Sequence, residues 1–209
     1  MAQTTAAAAA LHNGNNGKRP PGRPRSEQSR RAILRSTLKL LRQQGGFSEL
    51  SIEAIATDAN VSKATVYRWW PSKAAVVADA FAISAEDELQ FPDTGSLRND
   101  MAGQMRRLIR ILRSERGKVV VALLAGGQSD PELLEAFRER FLWPRRRQAY
   151  KRLQAAIEHG ELARNTDLDL ILDSLYGAIY MRLMIQHAEL REEVADQICA
   201  LILKDCKRR

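Results

Sequence analysis

Seven residues, Lys63-Ala64-Thr65-Val66-Tyr67-Arg68-Trp69, collect most of the hydrogen-bonding side chains in this part of the chain. Their types suit contact with duplex DNA. Lys63 and Arg68 can reach guanine or phosphate, and Thr65 and Tyr67 can bond phosphate or touch a thymine methyl. Ser51 stands at a predicted helix N-terminus, which favours a phosphate, and Lys73 can hold a second one. An ordinary helical hairpin with a polar face is the alternative. Two tryptophans and a tyrosine within four residues exceed what a solvated surface needs. Trp70 is assigned to the core beneath the motif and Trp69 to the DNA side. No catalytic constellation competes. His12, His159 and His187 are scattered, no cysteine or carboxylate spacing suits a metal, and no glycine-rich loop follows a strand. Neither an enzyme nor a bound metal or cofactor is expected.

These residues need helices to carry them. Ser51 can cap a helix in which Ile52, Ile55, Ala56 and Ala59 share one face. Asn60 tolerates the left-handed backbone of a tight turn. Ser62 caps the next helix, Lys63 to about Trp70, whose Val66 locks onto Ile52 and Ile55. Pro71-Ser72 interrupts the chain, and Ser72 caps a fourth helix from Lys73 to about Leu89. An earlier helix is predicted from Ser26 as N-cap to about Gln44. Its apolar stripe is Ile33, Leu34, Leu38 and Leu41, and Gly45-Gly46 ends it. After a loop at 91–95 the pattern stays helical, over about 97–114, 117–125, 131–142, 145–159, 168–187 and 191–205. Ser96, Asp130-Pro131 and Asp167 supply starts, and Gly126-Gly127 reads as an interhelix turn. No strand pattern appears.

The stretch SIEAIATDANVSKATVYRWWPSK, residues 51–73, resembles the DNA-binding segment of the TetR family of bacterial transcription regulators. The likeness covers about residues 26–80 and departs at Asn60, where glycine is usual. It implies an all-α protein of about nine helices. A three-helix DNA-binding domain at 26–80 would precede a helical effector-binding and dimerisation domain at 81–209. It further implies a homodimer, usually a repressor, that leaves a palindromic operator when a small molecule binds. The positions matching the family's DNA contacts are Ser51, Lys63, Ala64, Thr65, Tyr67, Trp69 and Lys73, with Arg68 in the same helix. A TetR-like activator and an architectural DNA-binding protein without an effector are the alternatives.

Charge distribution agrees with DNA as partner. Residues 1–75 hold twelve Lys/Arg against four Asp/Glu, whereas residues 76–209 hold twenty-one of each, so the whole formal excess of +8 lies at the N-terminal side. Residues 1–25 read as a disordered basic arm. Within it PGRPR, residues 21–25, looks like the core of an AT-hook, an extended segment narrow enough for the minor groove. Arg23 would go deepest, with Arg25 and Arg19 on flanking phosphates. A basic linker making diffuse phosphate contacts is the alternative.

The C-terminal part carries apolar helices instead of reactive groups. Residues 168–187 are apolar on almost every side, so one face can pack inward and another on a partner subunit. Leu172, Leu175, Ile179 and Leu183, with Ile198 and Leu201 of the last helix, are the candidate dimer interface. Met101, Met105, Leu108, Leu123, Phe141, Trp143, Tyr176 and Tyr180 are candidates to line an effector pocket, because methionines and aromatics make adaptable apolar walls. Plain core packing explains them as well. The run Arg145-Arg146-Arg147 can favour an anionic effector or form a solvated helix face. Cys199 and Cys206 read as small apolar residues, and a reducing cytoplasm is expected. No segment has the length and apolarity of a membrane span.

Overall fold

A computed structural model describes residues 23–43 and 47–204, with side chains from Glu27 onward. The helices are α1 (Arg23–Gln43), α2 (Ile52–Asp58), α3 (Lys63–Trp69), α4 (Lys73–Ser84), α5 (Leu97–Arg113), α6 (Glu115–Gly127), α7 (Pro131–Phe137), α8 (Trp143–Glu158), α9 (Leu168–Ile185) and α10 (Glu193–Ile202). A 3-10 turn, Asp87–Leu89, follows α4, and a π-helical turn, Arg138–Leu142, joins α7 to α8. These ten segments therefore form nine rods, and no strand occurs among the described residues.

Local chemistry sets most starts. Ser51, Ser62, Ser72, Ser96, Asp130 and Asp167 each accept a hydrogen bond from the backbone N–H three residues on. Each such cap contributes about 1 kcal/mol by satisfying a donor that the helix cannot. Asn60 takes the left-handed conformation, φ 52°. That lets the Val61 N–H reach the Ala56 carbonyl at 2.9 Å and closes the turn between α2 and α3.

Four boundaries differ from the sequence reading. Helix α1 starts at Arg23, ahead of Ser26. Pro24 fits a first turn, where its missing N–H is no loss and its fixed φ suits the helix. Arg23 and Arg25 are thus in helical backbone, which corrects the extended segment expected for them. The rest of the arm, residues 1–22, lies outside the described residues, as do Gly45-Gly46 and Cys206. Helix α4 stops at Ser84, whose hydroxyl donates to the Phe81 carbonyl at 2.8 Å. The 3-10 turn then carries Leu89 fully into the core. Between 131 and 158 no break occurs at Trp143-Pro144. Pro144 cannot bond the carbonyl four residues back, and the π turn absorbs the defect, with the Trp143 N–H donating to Arg138. Gly126-Gly127 forms the last turn of α6, where α7 crosses so closely that a Cβ on Gly127 would meet Leu134 at 3.1 Å.

Helices α1 to α4 enclose a small core of Ile33, Leu34, Leu41, Ile55, Val66 and Trp70. Helix α4 also packs against α7 and the π turn, so one rod belongs to both halves of the molecule. In the second half, a buried polar cluster ties α5 to α8 and to the segment before α9. Arg152 bonds Asp100 at 2.7 Å and Glu161 at 3.1 Å, and Glu161 also accepts the Leu97 N–H at 2.6 Å.

The expected dimer stripe is corrected by burial. Leu172, Leu175 and Ile179 are at most 1% exposed within one subunit and cannot face another. Leu183 and Ile198 pack partly on the same core. Of the six, Leu201 alone stands well out, 71% exposed. Helix α9 presents a different stripe outward: Leu170, Gly177, Met181 and Ile185.

Candidate nucleic-acid interface

Helix α3 is held from below by the fully buried Val66 and by Ile55 of α2, with Ala56 small enough for the two helices to cross. That fixes which residues face outward. Lys63, Ala64, Tyr67 and Arg68 are exposed, and Tyr67 keeps 51% of its surface free. Thr65 is half-buried, with its hydroxyl 2.9 Å from that of Ser62. Ser51 uses its oxygen to accept from Ala54 at 3.1 Å, which leaves its O–H to donate outward. One ion pair joins the two helices, from Lys63 to Glu53. The Lys63 ammonium holds the Glu53 carboxyl below its ordinary value, and the carboxylate in turn raises Lys63.

Two expected contact residues are more enclosed than the sequence implied. Trp69 is half-buried against the core, with the Arg30 guanidinium 6.0 Å from its ring centre. The short α3 ends against α1, so its final turn is roofed over. The Trp69 indole N–H is buried with no hydrogen-bond partner among the described residues, and a donor so left costs about 1–3 kcal/mol. Lys73 donates to the Phe47 carbonyl at 2.9 Å and sits 4.3 Å from the Phe47 ring centre. It pins the start of α4 to the loop after α1 and keeps two ammonium donors for other partners.

Beneath α3, Asp79 of α4 gathers three groups. The buried Trp70 indole donates to it at 2.9 Å, Arg30 of α1 at 3.3 Å, and Arg140 of the π turn lies 3.7 Å away. One carboxylate thus touches the DNA-facing half twice and the second half once. Beside it, Phe81 of α4 meets Phe141 of the π turn edge-on, with centroids 4.8 Å apart.

Phe141 also lines a narrow slot of about 50 Å³ between α5, α8 and α9, partly open to solvent. Leu108, Tyr176 and Tyr180, expected there, do line it. Met101, Met105 and Leu123 do not. They are fully buried packing residues. Trp143 lies on the outer surface beside Tyr150. The slot also holds Gln104, which the sequence reading passed over, Leu172, assigned there to the dimer stripe, and Arg145 and Arg146 of the run expected to favour an anion or form a solvated face. Gln104 interrupts the buried stripe Met101, Met105, Leu108 of α5, and a polar residue in such a stripe was the available signal. Its side-chain oxygen accepts from the Tyr176 hydroxyl at 2.7 Å. Burial raises Tyr176 above the ordinary tyrosine value and pushes Tyr180 up to about 12, so both remain neutral donors.

No group of three or more metal-ligating side chains, and no helix long and apolar enough to cross a membrane, occurs among the described residues.

Comparison with known proteins agrees with this geometry. The family described as bacterial regulatory proteins, tetR family, matches residues 33–80, and that described as tetracyclin repressor-like, C-terminal domain, matches residues 91–202. The HTH-type transcriptional regulator YdeS of Bacillus subtilis (strain 168) is 43% identical over 171 residues, covering 82% of this chain and 86% of its own. The DNA-binding transcriptional repressor TetR of Mycobacteroides abscessus is 29% identical over 77% of this chain and 85% of its own. The crystal structure of the TetR family transcription regulator SCO0332 superposes with a TM-score of 0.76 at 32% identity, over 86% of this chain and 99% of that one.

Proposed function

This chain belongs to the TetR family of bacterial transcriptional regulators and binds DNA, and from that premise we propose that it is a dimeric repressor, displaced from a palindromic operator by a small molecule entering the slot. The observation that carries this reading is the unbroken line from slot to recognition helix. Phe141 touches the slot on one side and Phe81 on the other, and Asp79, two residues before Phe81, holds Trp70 at the end of α3. A ligand that moves the π turn must act on α4 and thereby on the angle of α3.

On DNA, α3 lies in the major groove. Tyr67 and Thr65 meet phosphate, Ala64 touches a thymine methyl, and Lys63 and Arg68 reach guanine or phosphate. Ser51 and Lys73 hold the flanking phosphates. Lys63 must exchange Glu53 for DNA, so part of its attraction offsets the loss of that pair. Trp69 supports the helix from within its half-buried seat. The partner subunit packs against the outward stripe of α9, Leu170, Met181 and Ile185, and against Leu201 of α10. The four helices so formed set two α3 helices about one DNA turn apart, ~34 Å.

Selection of source-genome fragments on the purified protein tests this reading. A small set sharing one inverted repeat is the expected outcome. Broad retention without a common repeat would instead mark an architectural protein.

A further inference from the structure

Three arginines of α8 are partly withdrawn from water, and two are neutralised. Arg146 bonds Asp169 and Asp173, both at 2.8 Å, and Arg152 bonds Asp100 and Glu161. Arg145 differs. Like Arg146 it lines the slot, but no carboxylate of the described residues comes within ion-pair distance of it. Among the described residues its one hydrogen bond is a 3.3 Å contact to the neutral Gln148 side chain. Burial pulls its pKa down, countered in part by Glu86 from farther away. Taking a guanidinium out of water without a counter-charge is unfavourable, and an anion in the slot would restore the balance.

Two more residues with donor groups line the same slot. The Gln104 amide oxygen is taken by Tyr176, so its NH₂ is the end left over. Tyr180 lines the slot, and its hydroxyl makes no hydrogen bond to the described residues. The remaining wall is apolar, supplied by Leu108, Phe141 and Leu172. At about 50 Å³ the slot has room for a few water-sized groups, so an apolar chain must part Leu108, Phe141 and Leu172 to enter.

We propose that the slot takes an amphipathic carboxylic acid, its carboxylate on Arg145, Tyr180 and Gln104 and its apolar chain against Leu108, Phe141 and Leu172. This deepens the proposed function by naming the ligand class, and it rests on that reading for its biological sense. Arg147, one residue beyond Arg146, points to solvent and takes no part.

Calorimetric titration of the full chain, without DNA, tests the class. The probes are straight-chain acids from hexanoate to dodecanoate and the alcohols of matching length. At least one acid should saturate the protein while its alcohol binds about tenfold more weakly or worse, the size of one charge-assisted hydrogen bond. Arg145→Gln should erase that preference, Tyr180→Phe should reduce it several-fold, and Arg147→Gln should leave it intact. Equal binding of acid and alcohol, a preference that survives Arg145→Gln, or no binding by any acid would overturn the proposal. Operator release is read separately, by anisotropy of labelled DNA. An acid that binds through Arg145 and leaves DNA bound upholds the site and refutes ligand-driven release. A neutral ligand that releases DNA without an acid preference does the reverse.

Discussion

Phe141 rests its ring edge-on against Phe81, centroids 4.8 Å apart, and these two residues join the slot to the helix that carries Asp79. Effects at the slot should therefore reach α3 through α4, and changes along this path should alter coupling before they alter either binding event.

Asp79 is the sharpest point on the path. Asp79→Ala leaves the buried Trp70 indole unpaired and frees Arg30 and Arg140. A loss of about 1–3 kcal/mol is expected from the unsatisfied donor, read as a lower urea midpoint at unchanged slope. The same variant should bind operator more weakly and respond less to any effector. Wild-type stability in Asp79→Ala would remove Asp79 from this role.

Arg152 holds the second half together. Asp100 and Glu161 are almost wholly buried, so Arg152→Met strands two carboxylates. Breaking a buried pair from one side costs about 3–5 kcal/mol, enough to bring a domain near unfolding. Thermal and urea denaturation measure it directly.

The ion pairs of the DNA-facing half give a pH signature. Lys63 lowers Glu53 from 4.5 and Lys39 lowers Asp58 from 3.8. Their contributions are complete above those ordinary values and fade as the pH falls through the depressed folded ones. Lys63 is raised above 10.5 by Glu53, so its share is present below 10.5 and is lost as the pH rises through the raised value. All are exposed, so the stability effect is small. The stronger consequence is for DNA. Glu53→Gln releases Lys63 and should tighten binding several-fold at low salt, with the gain shrinking as salt rises. Weaker binding by this variant would mean that Glu53 positions Lys63 for its contact.

Met181, 55% exposed at the middle of the outward α9 stripe, tests the dimer. Met181→Glu should give a folded monomer by light scattering, with unchanged helicity and operator affinity reduced at least tenfold, since only one α3 then docks. A stable dimer in this variant would place the interface elsewhere.

What was legible in the sequence is local. Ser51, Ser62, Ser72, Asp130 and Asp167 announce their helices because a cap depends on three or four neighbouring residues. Asn60 marks its turn for the same reason. The unread features depend on tertiary placement. Helix α9 is apolar nearly all round, so periodicity could not say whether Leu172 and Ile179 or Leu170 and Met181 turn inward. Among three consecutive arginines, Arg146 is the one that Asp169 and Asp173 reach, a matter of how α9 crosses α8. Trp143-Pro144 read as a break because the π turn that absorbs it has no sequence pattern of its own. Trp69 read as free because Arg30 of the covering α1 lies 39 residues away in the chain.

The central claim is that the outward face of α3 reads an operator. Anisotropy titration of a selected inverted repeat with wild type and Tyr67→Ala tests it most directly. Tyr67 is half exposed and supports little of the core, so its loss should leave stability within about 0.5 kcal/mol. Tyr67→Ala should remain a dimer of normal stability and lose specific binding, keeping only weak, salt-sensitive affinity for any DNA. Wild-type affinity for the repeat in that variant would contradict the claim and move the DNA-reading surface away from α3.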